Sequence, residues 1–248
     1  MNFTAIAGLI IVFVSAALLL GFSLLKRKSK ASFRDIPAFT KLIKVIGASV
    51  EDGTRLHFSL GRADLLSPRS AASFAALSVL RRVGELTSAS DQPPVATSGN
   101  ATLAILSQDT LRAAYQAAGR ESLYHPSAGR LTGLTPFSYA GGTLPSMRDE
   151  NVSANILVGS FNVEIGLLTE IAERDSTFAL AAADSLPAQA VLYATAEEPL
   201  IGEELYAAGA YLKAGKAHTA SLQVQDILRW VVILVILGGS AMKVVGLL

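Results

Sequence analysis

Residues 94–118 read PVATSGNATLAILSQDTLRAAYQAA, a short β-prone run that ends in small polar residues and leads directly into a helical pattern. Within that pattern Leu103 and Leu111 fall on one helical face, whereas Gln108 and Arg112 fall on the other. The stretch therefore predicts a strand, a tight turn and an amphipathic helix whose apolar side covers a sheet.

The same unit recurs along the middle of the chain. The other predicted strands are Leu56–Leu60, Asn155–Val158 and Ala190–Ala194, and the predicted helices after them are Pro68–Leu86, Asn162–Glu173 and Glu198–Leu212. Strands that alternate with helices of this length are typical of βαβ units, whose crossovers produce a mainly parallel sheet covered on both faces. We therefore expect an α/β fold, specifically a Rossmann-like three-layer domain with a mainly parallel sheet.

Two segments have less regular patterns. The charges of Phe39–Ile46 fall on one side, which indicates either an amphipathic segment at a membrane surface or an edge strand. The region from Tyr124 to Met147 is rich in Gly, Pro, Ser and Thr, and we expect a strand at Gly129–Leu134 and a helix at Pro136–Met147.

Both ends of the chain are strongly apolar. Ala5–Leu25 and Ile227–Leu248 are each long enough to cross a hydrocarbon core about 30 Å thick. A cleaved signal peptide is the alternative for the first segment, but such a peptide carries positive charge before its apolar region, and this one carries none there. Lys243 lies close enough to the chain end to reach the membrane interface.

The basic residues near these segments predict their orientation. They follow the first span as Lys26, Arg27, Lys28, Lys30 and Arg34 and precede or begin the second as Lys213, Lys216 and Arg229. The positive-inside rule then places the middle of the chain in the cytoplasm and both termini outside. We expect three parts in a cell-membrane protein: residues 1–30, an N-terminal transmembrane helix with its basic flank; residues 31–215, a cytoplasmic α/β domain; and residues 216–248, a juxtamembrane segment with a C-terminal transmembrane helix.

Composition excludes several classes of function. The 248 residues carry a formal net charge of +1 and no cysteine. Nucleic-acid binding usually requires a basic face, and the only dense basic run adjoins a predicted span, so we expect no nucleic-acid partner. Without cysteine there is no disulfide, thiolate nucleophile or cysteine-ligated metal. The three histidines, His57, His125 and His218, are too scattered to indicate a metal site, and we expect no cofactor.

In a parallel α/β sheet, ligands bind at the C-terminal strand ends, where helix N-termini offer backbone N–H groups to anions. The candidate ligand-binding residues at the four predicted strand ends are Gly61, Asp64, Ser98, Gly99, Asn100, Gly159, Ser160, Asn162 and Glu197. The same turns also contain Arg62, Ser67, Thr97, Glu164, Thr195 and Glu198. Small residues at these positions suit a nucleotide or another phosphate ligand. Alternatively, Ser, Asn and Gly serve there only as helix caps and turn residues.

No catalytic motif is present. The chain contains no GxxxxGKS/T phosphate loop, no GxGxxG after the first strand, no GxSxG elbow and no HExxH. The acidic cluster around Glu197, Glu198, Glu203 and Glu204 is typical of a solvated helix start. His57, between two apolar neighbours, is expected to be either packed in the core or placed at a sheet edge. We therefore predict no catalytic residue and no metal ligand.

The combination of these segments resembles a known family. The segments SLGRADLLSPRSAASFAAL (residues 59–77), LSQDTLRAAYQAAG (residues 106–119), NILVGSF (residues 155–161) and EEPLIGEELYAAGAYLK (residues 197–213) together resemble an uncharacterised family of bacterial membrane proteins. That resemblance implies an α/β domain between two transmembrane helices. It implies no activity, because the family has none established.

We expect the function to depend on the attachment of the α/β domain to the membrane at both of its ends. The first hypothesis is a membrane-anchored scaffold whose cytoplasmic domain self-associates as a homo-oligomer or joins a larger membrane complex, since tethering raises local concentration. The alternative is a membrane-bound sensor that binds a nucleotide-like small molecule at the strand ends. A hydrolase of unknown substrate is the third hypothesis. The lipid bilayer is a partner in each case.

Overall fold

The structure, a computed structural model, describes residues 3–25, 33–67 and 70–244. In chain order its elements are α1 (Phe3–Leu25), α2 (Pro37–Glu51), β1 (Arg55–Gly61), α3 (Ser70–Thr87), β2 (Val95–Ser98), α4 (Ala101–Ala117), 3₁₀ turns at Glu121–Leu123 and Pro126–Ala128, β3 (Gly129–Leu131), α5 (Pro136–Arg148), β4 (Val152–Ser160), α6 (Ile165–Arg174), β5 (Phe178–Ala183), α7 (Leu186–Thr195), β6 (Glu198–Leu200), α8 (Glu204–Tyr211) and α9 (Lys216–Val244). The chain divides into a terminal unit, Met1–Arg34 with Gly215–Leu248, and an α/β unit, Asp35–Ala214.

In the terminal unit, α1 and α9 pack against each other. Among the described residues, Lys216–Val244 is the helix whose length and composition would allow it to cross a membrane, whereas the apolar helix Gly8–Ser23 is shorter. The predicted juxtamembrane segment and the described part of the second apolar segment form one continuous helix, α9, which begins at Lys216. The basic residues Lys26, Arg27, Lys28 and Lys30, together with the last four residues of the predicted second span, lie outside the described residues.

The α/β unit is built on a six-stranded sheet in the order β3-β2-β1-β4-β5-β6. Every neighbouring pair of strands is parallel. Side chains of α2, α3, α4 and α8 pack on one face of the sheet, and those of α5, α6 and α7 pack on the other. The prediction of an α/β fold with a parallel sheet is confirmed.

The central strand β1 is buried on both faces, as parallel strands usually are. Its face toward α3 carries Leu56, Phe58 and Leu60, and its other face carries His57 and Ser59. The apolar face therefore accounts for much of the core, and the polar face requires hydrogen-bond partners.

His57 has those partners. Its Nδ1–H donates to Asn155 Oδ1 at 3.0 Å, and its Nε2 accepts from the Thr97 hydroxyl at 2.9 Å. This assignment of donors follows because the amide nitrogen of Asn155 donates to the Thr177 hydroxyl, at 2.9 Å, so its oxygen faces the imidazole. Burial lowers the pKa of His57 to about 4, which keeps the ring neutral. Of the two expected positions for His57, packing in the core is confirmed.

The segment Phe39–Ile46 is amphipathic, as expected, but it is not an edge strand and its apolar side does not face a membrane. The segment belongs to α2, and its apolar residues Phe39, Leu42 and Ile46 are buried in the core of the α/β unit. The Phe39 ring stacks on Tyr211, with 4.9 Å between ring centroids. A membrane surface is thus not what covers this apolar face. The contact also brings the beginning and the end of the α/β unit together.

The fourth predicted strand–helix unit is wrong. Residues 190–194 lie inside α7, whose N-terminus is capped by the Ser185 hydroxyl accepting from the Ala188 N–H at 3.4 Å. Alanine-rich runs favour helix, and the cap starts that helix before the run. The predicted helix Glu198–Leu212 comprises β6 and α8, and the neighbouring strand β5 was not predicted.

The irregular region matches its prediction more closely. A strand begins at Gly129 and a helix begins at Pro136, as expected. Thr135 caps that helix through a reciprocal capping box with Ser138. Because capping residues act locally, this helix start was predictable from the sequence.

Candidate functional site

The ends of β1 and β4 meet at the centre of the sheet. From β1 the chain crosses through α3 to β2 on one side, and from β4 it crosses through α6 to β5 on the other. Because the two crossovers depart to opposite faces and in opposite directions, a crevice opens between the two strand ends. This crevice is the position where ligands bind in open α/β sheets.

Two glycines allow the strands to approach at this point. A Cβ at Gly61, whose φ is +75°, would lie 2.2 Å from the Ser160 carbonyl oxygen, and a Cβ at Gly159 would lie 2.0 Å from the Leu60 carbonyl oxygen. The register shifts here, between Ser59 and Gly61. Gly61 and Gly159 therefore serve the close packing of the backbone.

Tyr139, a residue of α5, forms hydrogen bonds with the same end of β1. Its hydroxyl hydrogen-bonds the Ser59 hydroxyl and accepts from the Gly61 N–H at 3.3 Å. Burial raises the pKa of Tyr139, so the phenol stays neutral. The residue acts as a structural support for the strand end.

A cleft of about 210 Å³ occupies the crevice. Its lining comes equally from the β1–α3 and β4–α6 connections and consists of Arg62, Ala63, Asp64, Ser67, Ser160, Phe161, Asn162 and Glu164. The fold thus brings together three of the nine candidate residues, Asp64, Ser160 and Asn162.

Two charged side chains of the cleft have buried atoms that lack partners. Glu164 is only 2% exposed, and its Oε2 has no hydrogen-bond partner in the protein. Arg62 is half-buried, and its Nε and Nη1 likewise have none. Within the described residues, no ion pair involves either side chain. Buried polar atoms in proteins are rarely left in this state. Arg55 Nε, Ser73 Oγ and Tyr115 Oη are also buried without a partner, but the cleft brings three such atoms together on two charged side chains.

Gly99 fixes the position of the arginine. A Cβ at Gly99 would lie 2.3 Å from Arg62 Cγ, so the aliphatic part of Arg62 passes directly over this glycine. The Gly99 N–H donates to the Gly61 carbonyl oxygen at 2.9 Å. Gly99 thus shapes the site without lining it.

The other residues of the second turn have local roles. The Ser98 hydroxyl donates to the Asn100 carbonyl oxygen at 3.1 Å. Asn100 Oδ1 accepts from the N–H groups of Thr102, at 2.9 Å, and Leu103, at 3.3 Å. The bonds of Asn100 are those of an N-cap, whereas the bond of Ser98 holds the turn that precedes the helix.

Asp184 is a neighbour of the site that the sequence did not indicate. The Ser160 hydroxyl donates to Asp184 Oδ2 at 3.1 Å. Asp184 directly follows β5, which we did not predict. The run of small apolar residues Phe178–Ala183, followed by Asp184 and the helix cap Ser185, was the available signal for that strand end.

The expected position of Glu197 is wrong. Because residues 190–194 form a helix, Glu197 precedes the short strand β6 instead of following a strand. It lines a separate cavity of about 410 Å³, together with Thr195 at the end of α7 and with Ser176 and Thr177 just before β5. Thr195 and Glu198 are displaced from the predicted position in the same way.

Metal ligation has no geometric support within the described ranges, where no group of three or more His, Cys, Asp or Glu residues could hold a metal ion.

Comparison with known proteins gives one match. No curated protein and no solved structure matches the chain. A family model described as "Domain of unknown function (DUF6754)" matches residues 2–248, in agreement with the expected uncharacterised family. Since the match spans almost every residue, the chain belongs to the family described as Domain of unknown function (DUF6754).

Proposed function

We propose that this protein is a membrane-associated sensor whose α/β unit binds a small ligand in the cleft between β1 and β4. The observation that carries the proposal is the pair of buried, unpartnered groups on Glu164 and Arg62 in that cleft. The strand order is that of Rossmann domains, which bind their ligands at the corresponding crevice. A bound polar molecule would supply the hydrogen bonds that both side chains lack.

Membrane attachment rests on the terminal unit. Apolar side chains along α9, such as Trp230, Leu234 and Leu237, are more than half exposed, which is unfavourable in water and suits lipid. With Ala5–Leu25 as a second span, the basic flank after it would hold the α/β unit in the cytoplasm with both termini outside. Protease protection of tags at the two termini in inverted and right-side-out vesicles tests this topology. Cleavage of either tag only from the cytoplasmic side would contradict it.

Ligand binding is tested on the full chain in lipid nanodiscs. Native mass spectrometry after gentle release reports any retained small molecule as added mass, and nucleotides are then offered individually as probes, as the nucleotide-like expectation requires. We expect a stoichiometric added mass that disappears in Asn162→Trp, because this exposed residue lines the cleft and the indole would fill it. Val163→Trp is the matched control, since its neighbouring position is exposed but does not line the cleft.

Two outcomes would contradict the sensor. One is an added mass that the Asn162→Trp variant retains as fully as the wild type, which would place the binding site elsewhere. The other is the absence of any retained molecule together with no response to the nucleotide probes or to the probes described in the next subsection.

A second candidate function is self-association as a scaffold, and the outer face of α7 favours it. All five exposed residues of that helix are apolar: Leu186, Pro187, Ala190, Tyr193 and Ala194. Leu186 and Tyr193 are 79% and 80% exposed. A second copy of the chain is the occupant we propose, because tethering to one membrane raises the concentration of copies and makes weak lateral contacts sufficient.

The oligomeric state of the full chain tests the scaffold. We expect a discrete oligomer in nanodiscs and detergent that dissociates in the variant Ala190→Glu, which places a charge at the centre of the apolar face. Glu170→Lys, on the exposed side of α6, is the control and should leave the subunit number unchanged. A wild-type protein that is monomeric in both environments would refute self-association.

A further inference from the structure

The charges of the cleft indicate what kind of ligand fits it. Of its eight lining residues, Arg62 contributes one positive charge and Asp64 and Glu164 contribute one negative charge each, so the formal sum is −1. A polyanion such as a nucleoside triphosphate would meet net repulsion here. The ligand must therefore bring a positive group.

The unpartnered atoms require both a donor and an acceptor. Glu164 Oε2 is a carboxylate oxygen that can only accept, and Arg62 Nε and Nη1 carry N–H groups that can only donate. A ligand with a cationic donor alone would satisfy Glu164 and leave the arginine unpaired. A ligand with an anion alone would do the reverse. Each unpaired group would retain its desolvation penalty.

Size and lining exclude a large aromatic ligand. The cleft volume, about 210 Å³, is below the range of roughly 300–1,000 Å³ that is usual for drug-sized molecules. The single aromatic lining residue is Phe161, which is 1% exposed and packs its ring against Tyr139. No lining ring is therefore presented for stacking on a nucleobase.

We infer that the cleft binds a small zwitterion with one ammonium group and one anionic group. The ammonium donates to Glu164 and is attracted by the nearby Asp64 carboxylate, while the anionic group accepts from the Arg62 guanidinium. This inference rests on the proposed ligand site and narrows the ligand to a class other than the nucleotides expected from the sequence. A free amino acid and a phosphoethanolamine headgroup share this chemistry.

The experiment uses the full chain in nanodiscs made of phosphatidylcholine and isothermal titration calorimetry. The probes are the standard amino acids one at a time, O-phosphoethanolamine, AMP and magnesium ATP. For the tightest zwitterion, the matching amine without the anionic group and the matching hydroxy acid without the ammonium are titrated next. We expect each truncated analogue to bind roughly tenfold to a hundredfold more weakly, since each forfeits one charge-assisted interaction.

The protein side of the interaction is tested by two variants that remove one charge each; Glu164→Gln keeps the size of the side chain, and Arg62→Gln shortens it. Glu164→Gln and Arg62→Gln should each lower the affinity for the zwitterion by roughly tenfold or more, as the truncated analogues do. Glu170→Gln, an exposed carboxylate on α6 outside the cleft, is the control and should bind normally. Should a cleft variant fail to fold by circular dichroism, the analogue series on the wild-type protein decides the question by itself.

Several results would overturn the inference. They are binding of AMP or magnesium ATP without any zwitterion, equal affinity for the truncated analogues, unchanged affinity in both folded variants, and no binding of any zwitterion. The first of these leaves the proposed ligand site intact, so failure of the ligand class can be told from failure of the site. Preference for O-phosphoethanolamine over all amino acids would support the zwitterion and identify its source as a lipid headgroup.

Discussion

Acidification should destabilise the α/β unit through the buried imidazole of His57. Burial lowers its pKa from 6.5 to about 4, against the opposing effect of the Asn155 hydrogen bond. The unfolded chain therefore binds this proton more readily than the folded one. The stability associated with the neutral ring is fully present above pH 6.5 and is lost as the pH falls toward 4.

The magnitude follows from the pKa difference. At about 1.4 kcal/mol for each pKa unit, the full loss from 6.5 to about 4 corresponds to about 3 kcal/mol of unfolding free energy. Between about pH 8 and about pH 5, the same two pKa values give a loss of about 2 kcal/mol. This loss is a large part of the stability of an ordinary domain.

The assay is urea unfolding of the full chain in detergent, followed by circular dichroism at several pH values in this range. The variant His57→Gln keeps a donor and an acceptor but does not titrate. Its unfolding free energy should therefore fall by about 2 kcal/mol less than that of the wild type over the same pH range. His125→Gln, an exposed histidine, is the control and should retain the wild-type slope. Carboxylates such as Asp175, whose pKa is lowered by the Arg148 hydrogen bond, titrate below this range.

Two results would refute the reasoning. One is a wild-type protein whose unfolding free energy does not change between about pH 8 and about pH 5. The other is a His57→Gln variant with the wild-type slope, which would assign the pH dependence to another group.

Three further predictions concern stability, and urea unfolding at neutral pH measures each of them. Gly61→Ala should lower the unfolding free energy by about 3 kcal/mol or more, because the new Cβ meets a carbonyl oxygen at 2.2 Å in a left-handed backbone conformation. Gly119→Ala, at a similar φ of +69° but with no atom within 4 Å, should cost only about 1 kcal/mol; equal effects would contradict the steric argument. Asn100→Ala should cost about 1 kcal/mol through loss of the N-cap, and Asn100→Asp should restore most of it if capping is the role of this residue. Glu150→Ala should cost about 2 kcal/mol because it leaves two part-buried arginines without their shared carboxylate, and a loss below the error of the measurement would show that solvent screens the pair.

Local patterns in the sequence predicted much of the fold. The run of residues 94–118 became β2 and α4 with the expected cap, and the units that start at Leu56 and Asn155 became strand and helix pairs in a parallel sheet. These predictions succeeded because periodicity, turn residues and caps act within a few residues of one another.

The last unit was wrong because a short apolar run such as residues 190–194 does not show by its pattern whether it is a buried strand or part of a helix. Runs of alanine and small apolar residues occur in both β5 and α7, and burial rather than pattern separates them. The Ser185 cap, which starts α7, was the decisive local feature. The displaced position of Glu197 followed from this one error.

By itself, the sequence determined which residues follow β1, β2 and β4, and it included Arg62 and Glu164 among them. Only the tertiary structure decided which strand ends meet. The adjacency of β1 and β4, with their helices on opposite faces, places these two side chains in one cleft and leaves their buried atoms without partners. The physical reason is that strand order depends on packing between segments far apart in the chain, which no local pattern encodes.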